Sequence, residues 1–203
     1  MINTNTWNKI RYTIYQPIYD LAGRYFTHHR KQSIEELAPA PDDHILILGA
    51  GTGLDLEFLQ DHKNITAIDI TPAMIVQLKR RAEKLGIPVE ALVMDGSNLD
   101  FEDQQFDAVI LHLIIAVMPD PFGCLQEVER VLKPGGKLTI MDKFLHPGTK
   151  PSLFRRLLNL ITNLLATNVD RDINQLIEHT SLIIKSARKL DPIFWLINGQ
   201  KPQ

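Results

Sequence analysis

The segment HILILGAGTGLDL (44–56) runs from an apolar stretch directly into glycines at 49, 51 and 53. A short apolar run without polar alternation marks a strand buried on both faces, as in a parallel sheet covered by helices. Glycines at alternate positions after such a strand permit positive φ and remove the Cβ atoms that would hold a ligand off the main chain. A helix beginning after Gly53 would aim its free N–H groups at the same place. In an open parallel sheet, ligands lie beyond the carboxyl ends of the strands, so this turn is the expected approach point for a nucleotide-like ligand. Taken alone, the glycines also suit a tight structural turn with no ligand.

The alternation continues along the chain. Strand-like runs HILIL, ITAI, VEALVM, FDAVILHL and KLTIMD are interleaved with helical stretches at Gly53–Asp61, Pro72–Leu85 and Asp120–Leu132. Strands alternating with helices of about 10 to 15 residues imply right-handed crossovers, so the expected fold is α/β with a doubly wound, mostly parallel sheet. Near the end, LIIKSAR and PIFWLIN are close enough to pair antiparallel and finish the sheet. Upstream, Trp7–Leu37 is irregularly helical and rich in aromatics, and the prolines of APAPDD mark a break. Residues 1–40 are expected to form an N-terminal helical cap and residues 41–203 a single structural unit.

Two acids turn the glycine loop from a turn into a candidate site. Asp69 closes the second strand 18 residues after Gly51, where a carboxylate can accept hydrogen bonds from ribose hydroxyls. Asp95 follows the third strand at the same sheet edge and can accept from an exocyclic amine. Either alone reads equally well as a turn or cap aspartate; polar groups at three successive strand ends are a rarer coincidence. The dinucleotide fingerprint G-x-G-x-x-G would need glycine at 54, which is Leu54, so a mononucleoside-like cofactor fits better.

Composition removes several other classes. The chain has 203 residues, enough to bury a core without staples. Its 22 Lys and Arg against 24 Asp and Glu give a net charge of -2, which offers no general attraction to nucleic acid. The single cysteine, Cys124, cannot form an internal disulfide, and the N-terminus lacks a charged-then-apolar leader pattern, so a reducing cytoplasm is the expected setting. No apolar segment reaches the roughly 18 residues needed to span a bilayer, which leaves only peripheral membrane contact.

With these residues in view, the chain resembles the class I S-adenosylmethionine-dependent methyltransferases from about Ile10 to at least Phe144. ILILGAGTG resembles their first motif, ITAIDITPAMI their ribose segment, MDGSNLDFEDQQFDAVI their adenine segment and VERVLKPGGKLTIMD their fifth-strand signature. YTIYQPIYD, LHLIIAVMPDP and MDKFLHPG are similar to the branch holding ubiquinone/menaquinone-biosynthesis methyltransferases and phosphatidylethanolamine N-methyltransferases. The resemblance implies a Rossmann-like, seven-stranded sheet with an antiparallel last strand. It also implies S-adenosylmethionine as cofactor and a small-molecule or lipid methyl acceptor, an amine nitrogen first and a quinol-type carbon or oxygen second.

Carried over by position, Gly49, Gly51, Thr52 and Gly53 would surround the methionine portion of the cofactor, Asp69 its ribose, and Asp95 with Gly96 its adenine. Ile70 and Met74 would pack on the adenosine, although Met74 also reads as a helix residue facing the sheet. His112 would line the methyl-transfer side, and Tyr19 would close over it. One departure stands out: the family's usual acid two residues before the first glycine is Ile47 here, which keeps open a protein that binds cofactor without turnover.

Methyl transfer from a sulfonium is an in-line displacement, in which alignment supplies much of the acceleration and no covalent residue is needed. A base helps an amine or phenol lose its proton, which makes His112 the candidate base. Tyr12, Tyr15 and Tyr19 can attract methylated ammonium through their faces, or can simply bury an amphipathic helix. His28, His29, Arg30 and Lys31 read as a solvated charged run. The seven histidines show no H-x-x-x-H or Cys partnership, so no metal site is expected. Nor is there the N/D-P-P-Y/F motif of amino-methylating DNA enzymes, its equivalent here being LHLI. The leucine-rich helix expected at 151–167 suits core or lid packing better than a lipid surface, which Lys150, Arg155 and Arg156 would nevertheless favour.

Overall fold

The computed structural model describes residues 25–144, 173–191 and 194–203. Its elements are α1 (Thr27–Leu37), β1 (His44–Leu48), β2 (Asn64–Asp69), α2 (Pro72–Leu85), β3 (Val89–Val93), β4 (Phe106–His112), α3 (Pro121–Val131), β5 (Leu132–Lys143), α4 (Ile173–Ile177), β6 (Ile183–Lys189) and β7 (Phe194–Gln200). The strands form one seven-stranded sheet in the order β3-β2-β1-β4-β5-β7-β6. β3, β2, β1, β4 and β5 pair in parallel. β7 is antiparallel to β5 and β6 on either side, so the last strand of the chain is the reversed one. The expected Rossmann-like architecture and its antiparallel finish are both present.

Burial explains why β1 is apolar at every position. Ile45 and Ile47 point to the face covered by α1 and α2, where they join Ile34, Leu37, Ile75, Leu78 and Ala82. Leu46 and Leu48 point to the opposite face, with Val109, Leu111, Leu125 and Val128. Ile47 is therefore a packing residue: it is 1% exposed, among apolar neighbours that would strand a carboxylate. β4 divides in the same way, Ala108 and Ile110 to one face and Val109 and Leu111 to the other. The chain runs outward from β1 to β2 and β3 and then crosses to β4 on the other side of β1. That reversal leaves a crevice at the carboxyl ends of β1 and β4.

Local chemistry sets the element ends. α2 begins with Pro72 at its first turn and ends at Gly86, whose φ of 69° supplies the left-handed cap. α3 begins at Asp120, whose carboxylate accepts the Gly123 N–H at 2.9 Å. Downstream, Arg130 donates to the Leu99 and Phe101 carbonyls at 2.9 and 2.7 Å and to Glu127 and Asp103. These bonds pin the loop that follows the third strand. Glu127 in turn accepts the Leu99 N–H at 2.8 Å.

Two expectations change. The helix expected over Gly53–Asp61 is a five-residue 3-10 turn, Leu54–Phe58, entered through Gly53 at φ 80°. Its bonds are of the i+3 type, Leu56 to Gly53 and Leu59 to Leu56, and its Asp55 is held by long-range partners described below. The aligned N–H groups of a full helix are thus missing behind the glycine loop. Arg30 is also no part of a solvated run: it is buried, whereas the side chain of Lys31 is 58% exposed. Tyr12, Tyr15, Tyr19 and the helix expected at 151–167 lie outside the described residues. No described helix is long and apolar enough to cross a membrane.

Candidate functional site

A cavity of about 340 Å³ opens at the crevice. Its floor is the loop after β1, where Gly49 and Gly51 take φ values of 70° and 55°. The two glycines differ in what surrounds them. A Cβ on Gly49 would sit 2.5 Å from Ile114 Cγ1, so the absence of a side chain there is a packing requirement. A Cβ on Gly51 would meet nothing within 4 Å and would stand in open space, leaving bare main chain for a ligand to lie against. Gly53 does not line the cavity; its Cβ direction is toward Leu78 and Leu56.

The acids arrive where the strand ends were expected to put them. Asp69, Asp95 and Gly96 line the same cavity as Gly49, Gly51, Thr52, Ile70, Met74 and His112. Asp69 Oδ2 accepts the Gly51 N–H at 3.0 Å and Oδ1 accepts the Thr71 N–H at 2.8 Å. Burial pushes the Asp69 carboxyl up, and these backbone bonds only partly offset it. Asp95 Oδ1 accepts from the N–H and hydroxyl of Ser97 at 3.0 and 2.8 Å, so it shapes its own turn while facing the cavity.

His112 ends β4 in a buried chain of hydrogen bonds. Its Nδ1 lies 2.7 Å from Asp55 Oδ1, and its Nε2 lies 2.8 Å from Ser33 Oγ. Ser33 Oγ also lies 2.8 Å from Thr139 Oγ1. Arg30 Nη1 donates to both oxygens of Asp55 at 2.8 Å. Burial would raise the Asp55 pKa, but the charges of Arg30 and His112 and their hydrogen bonds hold it well below the usual carboxylate range. An ionised Asp55 accepts only, so Nδ1 carries a proton. Nε2 faces the Ser33 hydroxyl, accepting from it when the ring is neutral and donating to it when the ring is charged. Both ring nitrogens are thus engaged, and the imidazole has no open lone pair for an acceptor.

Ser33, His112 and Asp55 have the connectivity of a nucleophile, base and orienting acid. Ser33, however, is fully buried and absent from the cavity wall, so the line works as a brace. It ties α1 to β4, to β5 and to the 3-10 turn behind the glycines. Its arginine and serine were missed in the sequence. The signal was there: Arg30, Ser33, Ile34 and Leu37 are the buried residues of α1, at helical spacing, so extending the Ile34–Leu37 stripe back one turn reaches both.

The far end of the cavity belongs to the loop after β4 and to β5 and β7. Ile114, Val117 and Met118 give it an apolar wall. Asp142 Oδ2 accepts the Ala116 N–H at 2.9 Å and so fixes that wall. Lys143 lies over the Phe194 ring, with Nζ 5.6 Å from the centroid, and both line the cavity with Phe26. The cavity thus carries carboxylates where β2 and β3 end, and beyond β4 an apolar wall flanked by Asp142 and Lys143.

Residues 46–140 match a family model described as a methyltransferase domain. A phosphatidylethanolamine N-methyltransferase of Cereibacter sphaeroides is 30% identical over 129 residues, 63% of this chain and 64% of that protein. The ubiquinone/menaquinone biosynthesis C-methyltransferase UbiE of Ruegeria sp. (strain TM1040) is 32% identical over 111 residues, 52% of this chain and 44% of that protein. The chain thus matches less than two thirds of either relative's length. The crystal structure of the [4+2]-cyclase SpnF superposes with a TM-score of 0.83 at 14% identity, covering 98% of this chain and 96% of that one. A geranyl diphosphate C-methyltransferase from Streptomyces coelicolor A3(2), solved with S-adenosyl-L-homocysteine, gives 0.76 at 16%, covering 88% and 80%. These structures share the fold.

Proposed function

We propose that this chain, whose residues 46–140 match a methyltransferase domain model, binds S-adenosylmethionine and methylates a small-molecule or lipid acceptor, with an amine nitrogen favoured. One observation carries the reading: a single cavity is lined by bare glycine backbone after β1, a carboxylate after β2 and a carboxylate after β3. The residues fit the cofactor. Open space above Gly51 admits its amino-acid portion, Asp69 is placed to accept from ribose hydroxyls and Asp95 from the adenine amine. Ile70 and Met74 supply apolar contact beside them. The bound cofactor supplies an electrophilic methyl on a sulfonium, and the chain's part is to bind, align and keep water out.

The acceptor enters from the wall of Ile114, Val117, Met118, Phe26 and Phe194. Two features favour an amine. The Phe194 ring accepts an ammonium in the structure, that of Lys143, and aromatic faces of this kind attract amine acceptors by the same contact. His112 is fully engaged, which suits an amine that attacks as its free base, its proton lost to solvent, since the neutral nitrogen already carries the attacking lone pair. His112 acts here as a positioning residue for α1 and the glycine turn. Tyr19 remains a candidate for closing the site. The phosphatidylethanolamine N-methyltransferase relative points the same way, and the quinone C-methyltransferase relative supports a quinol-type carbon as second reading.

The test is transfer of a radiolabelled methyl group from S-adenosylmethionine. Acceptors are vesicles containing phosphatidylethanolamine, free ethanolamine, and a demethylated quinol in detergent. Label in the aminophospholipid supports the amine reading, and label in the quinol alone replaces it with the second. Tight cofactor binding with label in none of these acceptors would make this a binding protein.

A further inference from the structure

Charge is divided across the cavity. Asp69 and Asp95 line it where β2 and β3 end, and Lys143 lines it where β5 ends. Register gives the separation. Leu48 pairs with Leu111, so Gly49 follows at the level of His112, and His112 pairs with Met141. Lys143 is thus two strands across from Gly49, about 10 Å, and two residues further along, about 7 Å. With the adenosine assigned to the ends of β2 and β3, the lysine stands at the end left for the acceptor.

Register also fixes the face. Along β5, Lys137 donates to the Leu37 and Ala38 carbonyls at 3.4 Å, and Thr139 lies 2.8 Å from Ser33, so these alternate residues face α1. Alternation puts Lys143 on that same face, with His112, and turns Asp142 to the other, where its oxygens accept the Ala116 and Lys143 N–H groups. Opposite Lys143, the Phe194 ring carries the ammonium at 5.6 Å, and Phe26 lies against the same ring at 4.6 Å. The other described cation on the cavity wall, Arg30, is committed to Asp55. A lysine held on an aromatic face has a weaker partner than it would have in a charge-assisted hydrogen bond to phosphate, which lysine recognises as a point charge. An anion entering this end of the cavity therefore takes the ammonium from the ring.

From this placement we propose that Lys143 binds a phosphate group of the methyl acceptor, so that the acceptor is an amine bearing a phosphate a few bonds from its nitrogen. The proposal rests on the reading that this cavity holds cofactor and an amine acceptor, and it narrows that reading. The flexible four-carbon stem of lysine and the two-carbon link of an aminoethyl phosphate together span from β5 back toward the glycine loop. Drawing the ammonium onto the phosphate uncovers the Phe194 ring for the amine end. A quinol offers the lysine no charge, so the same residue separates the two acceptor readings.

Calorimetry on protein saturated with S-adenosyl-L-homocysteine tests this with ethanolamine, phosphoethanolamine and glycerophosphoethanolamine. Wild-type protein should prefer a phosphate-bearing ligand over ethanolamine by about 10- to 100-fold, the range for a hydrogen bond to a charged group. Lys143→Met should reduce that preference to about threefold or less, and Lys143→Arg, which restores the charge, should keep it within about threefold of wild type. The two phosphates separate the possible sources. Tighter binding of the diester, with labelled methyl entering phosphatidylethanolamine in phosphatidylcholine vesicles, identifies a lipid headgroup; tighter binding of the monoester with unlabelled vesicles identifies a free phosphate. A wild-type protein without the preference, or a preference that survives Lys143→Met, would overturn the assignment. So would a loss of S-adenosyl-L-homocysteine affinity in step with that of every acceptor, which marks a structural residue. If Lys143→Met does not fold by circular dichroism, Lys143→Gln is read in the same way. Failure of the underlying reading looks different: wild-type protein that takes up no S-adenosyl-L-homocysteine refutes the cofactor site, and label in a quinol alone refutes the amine, and either result removes the lysine's role with it.

Discussion

Gly49 and Gly51 lie two residues apart in the same loop, yet alanine should harm the protein in different ways at each. At Gly51, φ is 55° and an added Cβ meets nothing within 4 Å. The cost to the fold is that of placing a side chain in the left-handed region, about 1 to 2 kcal/mol. That methyl stands in the cavity, on the main-chain surface where the ligand is to rest. Forcing one methyl into a fitted contact costs about 1 to 3 kcal/mol, so S-adenosyl-L-homocysteine affinity should fall about 5- to 150-fold. At Gly49 the φ of 70° carries the same backbone cost, but the Cβ also lands 2.5 Å from Ile114 Cγ1 and 2.8 Å from its Cβ. Overpacking adds about 1 to 3 kcal/mol, so Gly49→Ala should lose about 2 to 5 kcal/mol of stability. Urea unfolding reads the first quantity and calorimetry the second. If Gly51→Ala binds as wild type does, no ligand lies on that backbone. If the two variants are equally stable, the reading of Ile114 as a steric wall fails.

Asp69→Ala should weaken S-adenosyl-L-homocysteine binding by about 1.5 to 3 kcal/mol, and unchanged affinity would remove Asp69 from the ribose role. Because burial raises the Asp69 pKa, wild-type affinity should also decline on acidification, beginning above the ordinary carboxylate value of about 3.9; titration calorimetry at several pH values checks this. Asp55 has the opposite sign. Its depressed pKa contributes stability above the unfolded value that is lost as pH falls toward the folded one, so Asp55→Asn should flatten the pH dependence of unfolding below about pH 5 by up to about 1.4 kcal/mol per pH unit. Matching slopes in the two proteins would disprove that contribution. His112→Ala should lower both stability and turnover, since it leaves Asp55 and Ser33 short of a partner, and an unaffected rate would confine it to the brace.

What the sequence revealed follows a physical pattern. β1 was legible because burial on two faces demands apolar residues throughout, and Asp69 and Asp95 because successive parallel strands end at one edge. The turn after Gly53 was not: Leu54, Leu56 and Leu59 suit a helix, but left-handed Gly53 and the tethering of Asp55 stop the i+4 ladder from starting. Arg30 hid inside a charged run because its partner lies 25 residues away, and Ser33 because Thr139 lies 106 residues away. Helical spacing with Ile34 and Leu37 marks both as buried, but nothing local names their distant partners. The apolar cavity wall of Ile114, Val117 and Met118 was not read from LHLIIAVMPDP, and Phe194 joins it only because β7 returns antiparallel beside β5.

A crystal structure with S-adenosyl-L-homocysteine bound tests the central claim most directly. The account predicts the ribose on Asp69, the adenine beside Asp95 and the amino-acid end across Gly49 and Gly51. Density for the nucleoside elsewhere on the protein, with that crevice filled by protein side chains, would contradict it.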